Sequence, residues 1–450
     1  MIQIVYLDNY RLSYINALTF TSKINKLALQ KLRNNFNCKK LTLKEEKTMK
    51  KLLAAVLALV MILALAACSD GSTPASAGDS GSAPATSGSS GSSGSSDSSG
   101  GSSGSGGAQT VGIAMPTKSL ERWNRDGDYL KAQFEAAGYN AQLKYSDNDS
   151  NQQNNDIQAM IADGVDVLII AAIDGETLTQ TLADAKSAGI PVIAYDRLIM
   201  NTDAVSYYVS FDNYTVGVLQ GTFVKEALDL DNASGPFNIE FTAGDPADNN
   251  AGYFFNGAFD TLKPYIDAGK LVIPSGKTTF EQVATPSWST DTALENMQNT
   301  LASYYSGGTV LDVALCSNDS TALGVAQAIT SDYAGGNSPI VTGQDGDIAN
   351  LRNIVDGIQT MTVYKNVSDE AGVTLELAKA ILAGKTPDAS LLSSLSAEAA
   401  YDTESYDNGT GIIPSYLLVP WTVTKDNLQD LVDTGLYKWD ANNQYLESNN

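Results

Sequence analysis

Asp196 and Arg197 stand side by side at the end of an apolar run, Val192, Ile193, Ala194 and Tyr195, where a buried strand ought to close in a turn. Comparable polar groups come after other apolar runs. Arg122 and Trp123 lie in PTKSLERW, Asp248, Asn249 and Asn250 in GDPADNN, and Asn318 with Asp319 in CSND. Gln344 and Asp345 lie in TGQDGD, Lys365 ends TVYK, and Trp288 sits in the TPSWSTD loop. Carboxylates accept hydrogen bonds, Arg and Lys donate them, and amides do both. That combination is the complement of a polyol, whose hydroxyls each donate and accept, while the C–H faces of a sugar ring are apolar and suit indole. A single Asp–Arg pair reads as a local ion pair or cap. Repetition at tip after tip favours one shared site, in which Asp196 and Arg197 hold neighbouring hydroxyls and neutralise one another.

Other chemistries are poorly served. The chain has no histidine, which removes imidazole bases, Ser-His-Asp and Cys-His arrangements, and nearly all zinc chemistry. It carries no Walker or dinucleotide glycine fingerprint. The DNDSN run at 147–151 lacks the glycine and closing glutamate of a calcium loop and reads as a helix N-cap. No metal or cofactor is expected. An exported glycosidase pairing Asp196 with Asp345 is the enzymatic alternative, and it needs carboxylates about 5–9.5 Å apart in an open groove.

The tips must be carried by an alternating α/β chain. TVGIAM (110–115), NAQLKY, VDVLIIAAI and PVIAYD read as strands, with helices at 123–138, 151–163 and 176–188 between them. After SYYVSFDN the alternation resumes. Strands are expected at FNIEFTA (237–243), LDVALCS (311–317), PIVTG (339–343) and TMTVYK (360–365), with helices at 251–268, 291–305 and 319–330. Near-continuous Val, Ile and Leu between amphipathic helices implies parallel sheets covered on both faces. The segments IQAMIADGVDVLIIAAIDG and MQNTLASYYSGGTVLDVALCSND echo one another, so two similar lobes are expected, with ligand at the carboxyl ends of the strands.

Upstream of this domain, MKKLLAAVLALVMILALAAC (49–68) reads as a secretory leader: two lysines, an apolar run too short for the ~20 residues of a bilayer span, and small residues before Cys68. Residues 1–48 read as an upstream extension, with Met49 as initiator, and 49–67 as the signal peptide. Residues 68–108 read as a flexible tether of Ser, Gly, Ala, Thr, Pro and Asp, spanning roughly 35 Å as a coil. Residues 1–67 hold 11 of the 28 basic and 3 of the 51 acidic residues, leaving 17 against 48, a net −31. Such acidity disfavours nucleic acid and anionic ligands. Of three cysteines, Cys38 and Cys68 precede the domain and leave Cys316 alone, so no disulfide is expected within it.

The motifs GIAMPTKSLERW, IAYDRLI, SFDNYTVGVLQ, GPFNIE, DNNA, LKPYIDAGKLV, SND, GQD, TMTVYK and PSYLLVPWTVTKDN resemble the monosaccharide-binding proteins of bacterial ABC importers, the xylose-binding and virulence-associated multiple-sugar receptors among them. The resemblance runs from about Thr110 to Val432. It implies a type I periplasmic-binding-protein fold: two parallel-sheet lobes joined by three crossovers near Asp212, after Lys365 and near Pro414–Tyr416. Residues 109–212 with 366–414 would form one lobe, and 213–365 with 415–450 the other. By the same resemblance, Arg122, Asp196, Arg197, Asn318, Asp345 and Lys365 would hydrogen-bond a sugar. Trp123 and Trp288 would stack on it, and one of Asn249 and Asn250 would reach it. LAAC resembles a bacterial lipobox, which implies lipidation at Cys68 and a monomer anchored on the extracytoplasmic face of the cell membrane. Capture of a xylose-, glucose- or galactose-type sugar by hinge closure, and delivery to an ABC permease, would follow. A receptor feeding a chemotaxis or two-component sensor is the alternative within this class. A LacI-type regulator shares the fold but would need a DNA-binding domain.

Overall fold

The computed structural model describes residues 108–395 and 397–449. The expected extension, leader, Cys68 and nearly all of the tether lie outside the described residues. Strands β1 (Thr110–Met115), β2 (Asn140–Tyr145), β3 (Val167–Ile170), β4 (Val192–Tyr195) and β5 (Val205–Phe211) alternate at first with helices α1 (Glu121–Ala136), α2 (Ser150–Asp163) and α3 (Thr179–Ser187). Two strands from the far end of the chain, β11 (Ala399–Asp402) and β12 (Ser415–Leu418), complete a seven-stranded sheet in the order β11-β12-β5-β4-β3-β1-β2. Every pairing in it is parallel except the β11–β12 edge. All four side chains of β3 and of β4 are buried, as strands covered on both faces must be. Ile157, Met160, Leu182 and Ala185 of α2 and α3 cover one face. Leu130 and Phe134 of α1, with Ala371 and Leu377 of α10 (Val367–Leu382), cover the other. Asp149 caps α2 by accepting from Asn151 N and Gln152 N, and the helix stops at left-handed Gly164, so the DNDSN run is a cap.

The second lobe repeats the plan on a smaller sheet: β6 (Phe237–Thr242), β7 (Leu271–Val272), β8 (Val313–Cys316) and β9 (Ile340–Val341), in the order β7-β6-β8-β9. Its helices are α4 (Asn213–Ala227), α5 (Asn249–Asp267), the short α6 (Phe280–Val283), α7 (Thr290–Thr300), α8 (Asp319–Asp332) and α9 (Ile348–Asp356). Strand β10 (Met361–Tyr364) runs beside Gln344 and pairs antiparallel with β13 (Trp421–Thr424). Beyond it come α11 (Leu428–Asp433), β14 (Tyr437–Trp439) and β15 (Leu446–Ser448). Helices α4 and α5 touch backbone to backbone at Gly217 and Gly257. A Cβ on Gly217 would stand 2.1 Å from Phe254 O, and one on Gly257 2.1 Å from Tyr214 O. No helix among the described residues is long and apolar enough to cross a membrane.

Within the described residues the chain passes between lobes three times: from β5 into α4, from β10 into α10, and from β12 into β13. The third passage corrects the sequence expectation. Ser415–Leu418 is hydrogen-bonded to β5 in the first sheet, so the crossing falls at Val419–Pro420 and not at Pro414–Tyr416. Proline cannot donate to a ladder, which fixes where the strand must stop. Some helices also begin earlier than expected. Helix α5 starts at Asn249 because Asp248 is its N-cap, and α7 gives way to a π-turn over Leu301–Tyr305.

Candidate functional site

Leu120, Arg122, Trp123, Asp196 and Arg197 of the first lobe face Asp248, Phe254, Trp288, Asn318, Ser320, Gln344 and Asp345 of the second, with Lys365 at the second crossing, around one cavity. Eight of the ten residues expected from sequence are therefore brought together. Asn249 and Asn250 are not among them. Asn250 is buried one residue into α5, where its Nδ2 donates to Asp196 O at 2.7 Å and its Oδ1 lies 3.1 Å from Tyr208 Oη. Asn249 borders a separate pocket beside Asp174 and Met200. The physical reason is capping: Asp248 accepts from Asn250 N, and that fixes which residues of the Asp-Asn-Asn run turn towards the cleft.

Backbone strain marks the site. Asp196 (φ 57°), Trp288 (φ 53°) and Asp345 (φ 106°) all have positive φ, and Trp288 follows Ser287 at φ 59°. Asp tolerates this conformation moderately, whereas a tryptophan there is an outlier held by its surroundings. The holding groups are visible. Asp196 O accepts from Tyr208 Oη (2.6 Å), Ser210 Oγ (2.8 Å) and Asn250 Nδ2 (2.7 Å), which pins the turn beyond β4. The indole of Trp288 donates from Nε1 to Asp248 Oδ2 at 3.2 Å and lies against Gly244, where a Cβ would come within 1.9 Å of the ring.

The charges interlock across the cleft. Arg122 donates to Asp196 (2.6 Å), Asp345 (3.1 Å), Glu370 (3.2 Å) and Asp126 (3.2 Å). Lys365 Nζ lies 3.2 Å from Asp196 Oδ2 and 3.5 Å from Asp345 Oδ1. Asp196 and Arg197, adjacent in sequence, do not form a direct ion pair with one another, although the Arg197 charge still favours the Asp196 carboxylate. Asp196 pairs with Arg122 and Lys365, while Arg197 Nε stands 3.0 Å from Asp248 and Nη1 donates to Ala172 O at 2.9 Å. Side chains at neighbouring positions of a sharp turn diverge, so each finds a different partner. Trp123 lies beneath both guanidinium groups, with its ring centre 5.2 Å from Arg122 Cζ and 5.0 Å from Arg197 Cζ.

Burial raises the Asp196 carboxyl, but Arg122, Lys365 and Arg197 more than reverse it and bring it down to about 2. Glu370 and Asp126, behind Arg122, go the other way. Burial holds both up; Asp196 adds to the rise, and Arg122 only partly offsets it. Glu370 Oε1 has no hydrogen-bond partner among the described residues, while Asp126 accepts from Tyr195 Oη at 2.5 Å. These carboxylates steady Arg122 without lining the cavity, and the sequence reading missed them. It named Asp248 and Gln344 at strand tips without assigning them to the sugar, and it left out Phe254, Ser320 and Leu120. Gln344 Nε2 donates to Ser317 O at 3.1 Å, and its Oε1 has no partner among the described residues. Asn318 Oδ1 accepts from Thr321 N and Oγ1 at 2.9 Å, leaving its amide nitrogen as the end to face the cavity.

The arrangement offers fixed donors, fixed acceptors and aromatic surface from both lobes. It defines a two-lobed receptor of the type I periplasmic binding protein fold. Residues 111–386 match the periplasmic binding protein domain, and the chain belongs to that family. It is 44% identical over 335 residues to the multiple sugar-binding periplasmic receptor ChvE of Rhizobium radiobacter, across 74% of this chain and 91% of that protein. It is 34% identical over 322 residues to the D-xylose-binding periplasmic protein of Escherichia coli K12, across 72% and 88%. Among solved structures, an ABC transporter solute-binding protein from Clostridium phytofermentans with bound β-D-glucose is 50% identical. That match has a TM-score of 0.70 and covers 75% of this chain and 100% of the other. A carbohydrate transporter solute-binding protein from Chloroflexus aurantiacus in complex with D-glucose is 32% identical, with a TM-score of 0.64 and coverage of 75% and 98%.

Proposed function

We propose that this protein is an extracytoplasmic solute-binding protein that captures a monosaccharide of the xylose, glucose or galactose type and delivers it to an ABC sugar importer. The observation that carries the reading is Arg122, a buried first-lobe guanidinium that bridges Asp196 of its own lobe and Asp345 of the other. A sugar contacting both lobes binds the closed form better than the open one and shifts the equilibrium by that difference; closure of two lobes about a hinge is the general motion of periplasmic binding proteins. The sugars bound by the 50%- and 32%-identical solved structures support a hexopyranose as the first candidate. Arg122, Arg197, Lys365 and the Asn318 amide serve as donors, and Asp196, Asp345 and Gln344 as acceptors. Trp123 and Trp288 supply apolar surface. No bond is broken. The LAAC motif supports a lipid anchor at Cys68, with the acidic domain held off the extracytoplasmic membrane face as a monomer. The test is a thermal-shift screen against xylose, glucose, galactose, arabinose, fucose and ribose, followed by calorimetric titration. A saturable rise in Tm with at least one aldose is expected; no response to any of them overturns the reading.

A further inference from the structure

Arg125 lies on α1 one turn beyond Arg122 and is not one of the residues around the cavity. Its guanidinium nevertheless crosses to the second lobe. Nη1 donates to Gly346 O and Tyr437 Oη, both at 2.9 Å, and Nη2 donates to Asp345 O at 2.9 Å and Asp347 Oδ1 at 3.0 Å. Tyr437, on β14, donates to the same Gly346 carbonyl at 2.8 Å. Glu121, one turn before Arg125 and 3.6 Å from it, accepts from Ile348 N at 3.1 and 3.3 Å, at the first residue of α9. Two side chains of one first-lobe helix thus hold two carbonyls, a carboxylate and an amide of a single second-lobe turn.

That turn carries Asp345. Its left-handed backbone is fixed on one side by Asp345 N donating to Val363 O at 2.9 Å, and on the other by Arg125 on its carbonyl. Resting on the sugar-capture reading above, we propose that Arg125 and Glu121 are positioning residues. They form a clasp that sets affinity for every sugar alike, by stabilising the closed form without touching the ligand. The apparent dissociation constant scales inversely with the fraction of protein in the competent form. A clasp that acts on this fraction changes all affinities by one factor and leaves their ratios alone. A ligand-contacting residue changes the ratios.

The test compares Arg125→Ala, Arg125→Lys and Glu121→Ala with the parent chain, by calorimetry and stopped-flow kinetics for each aldose the parent binds. Arg125→Ala is expected to weaken all of them by one common factor, roughly tenfold to a hundredfold, as for loss of one or two charge-assisted hydrogen bonds. The loss should appear chiefly as faster dissociation. Arg125→Lys, which keeps the charge but not the fork, should recover part of the affinity. Glu121→Ala should give a smaller common factor. The Glu121 side chain is 39% exposed, so this variant carries the test if Arg125→Ala does not fold. Unchanged affinity, or factors that differ from sugar to sugar, overturns the clasp. If the parent binds no aldose, the sugar reading fails separately, and the clasp is judged on the unliganded chain by small-angle scattering. A larger radius of gyration in Arg125→Ala supports it, and an unchanged one overturns it.

Discussion

Replacing Asp196 with asparagine keeps the shape of the side chain and removes its charge. The carboxylate is buried, lies 2.6 Å from Arg122 and 3.2 Å from Lys365, and titrates at about 2 against an ordinary 3.8. A depression of that size corresponds to about 2 kcal/mol of folding stability. Because the folded value lies below the unfolded one, this contribution is present above pH 4 and disappears as the pH falls through 2. Asparagine loses it at every pH and leaves Arg122 and Lys365 short of a counter-charge, a defect of the kind that costs about 3–5 kcal/mol in fully buried pairs. The variant should therefore melt several degrees below the parent at pH 7, with the gap narrowing in acid. Its sugar affinity should fall roughly tenfold to a hundredfold, since a charge-assisted hydrogen bond contributes about 1.5–3 kcal/mol. Thermal unfolding across pH and calorimetric titration with the best aldose measure the two effects separately. A lowered Tm with an unchanged dissociation constant would make Asp196 a strut between lobes and refute its place at the ligand. An unchanged Tm at pH 7 would refute the ion-pair reasoning.

Gly244→Ala should displace the Trp288 indole, since the added Cβ would lie 1.9 Å from it. Affinity should drop roughly tenfold with the loss of aromatic contact, and the tryptophan emission change on sugar binding should shrink. Glu370→Gln removes a carboxylate whose folded pKa stands well above 4.5, for which burial is the main cause. Ionising it costs stability as the pH rises from about 4.5, so the variant should gain in Tm relative to the parent between pH 5 and 8; parallel melting curves would contradict this. Cys68→Ser should move the protein from the detergent phase to the aqueous phase in a Triton partition of whole cells, and a variant that still partitions with detergent argues against the anchor.

Much of the first lobe was legible because VLII and VIAY are short, wholly apolar strands, and the residues at the carboxyl end of such a strand in a parallel sheet border the cleft. The tips of TVYK, CSND and TGQD were readable on the same ground. Helices α4 and α10 went unassigned because their buried faces are broken by small and polar residues such as Gly217, Gln220 and Glu370, which a hydrophobic period does not register; α9, with Leu351 and Ile354 buried on one face, carried a readable period. Glu370 and Asp126 were invisible as counter-charges, since a carboxylate within a helix reads as solvated; their place behind Arg122 is a tertiary fact. Capping chose between Asp248 and its two asparagine neighbours, and no spacing rule ranks three capping residues in a row. Phe254 could have been found, four residues after Asn250 and therefore on the same face of α5. Pro420 was a usable signal for the third crossing.

The left-handed turns at Asp196 and Asp345 also limit how this receptor can diversify. Such backbone readily admits glycine, asparagine and aspartate, so variation at those two positions can exchange a carboxylate for an amide or for nothing, but cannot install bulk. A lineage adapting to a new nutrient would have to install any larger side chain elsewhere in the lining, at positions such as Asn318, Ser320 or Gln344 where the backbone is not left-handed.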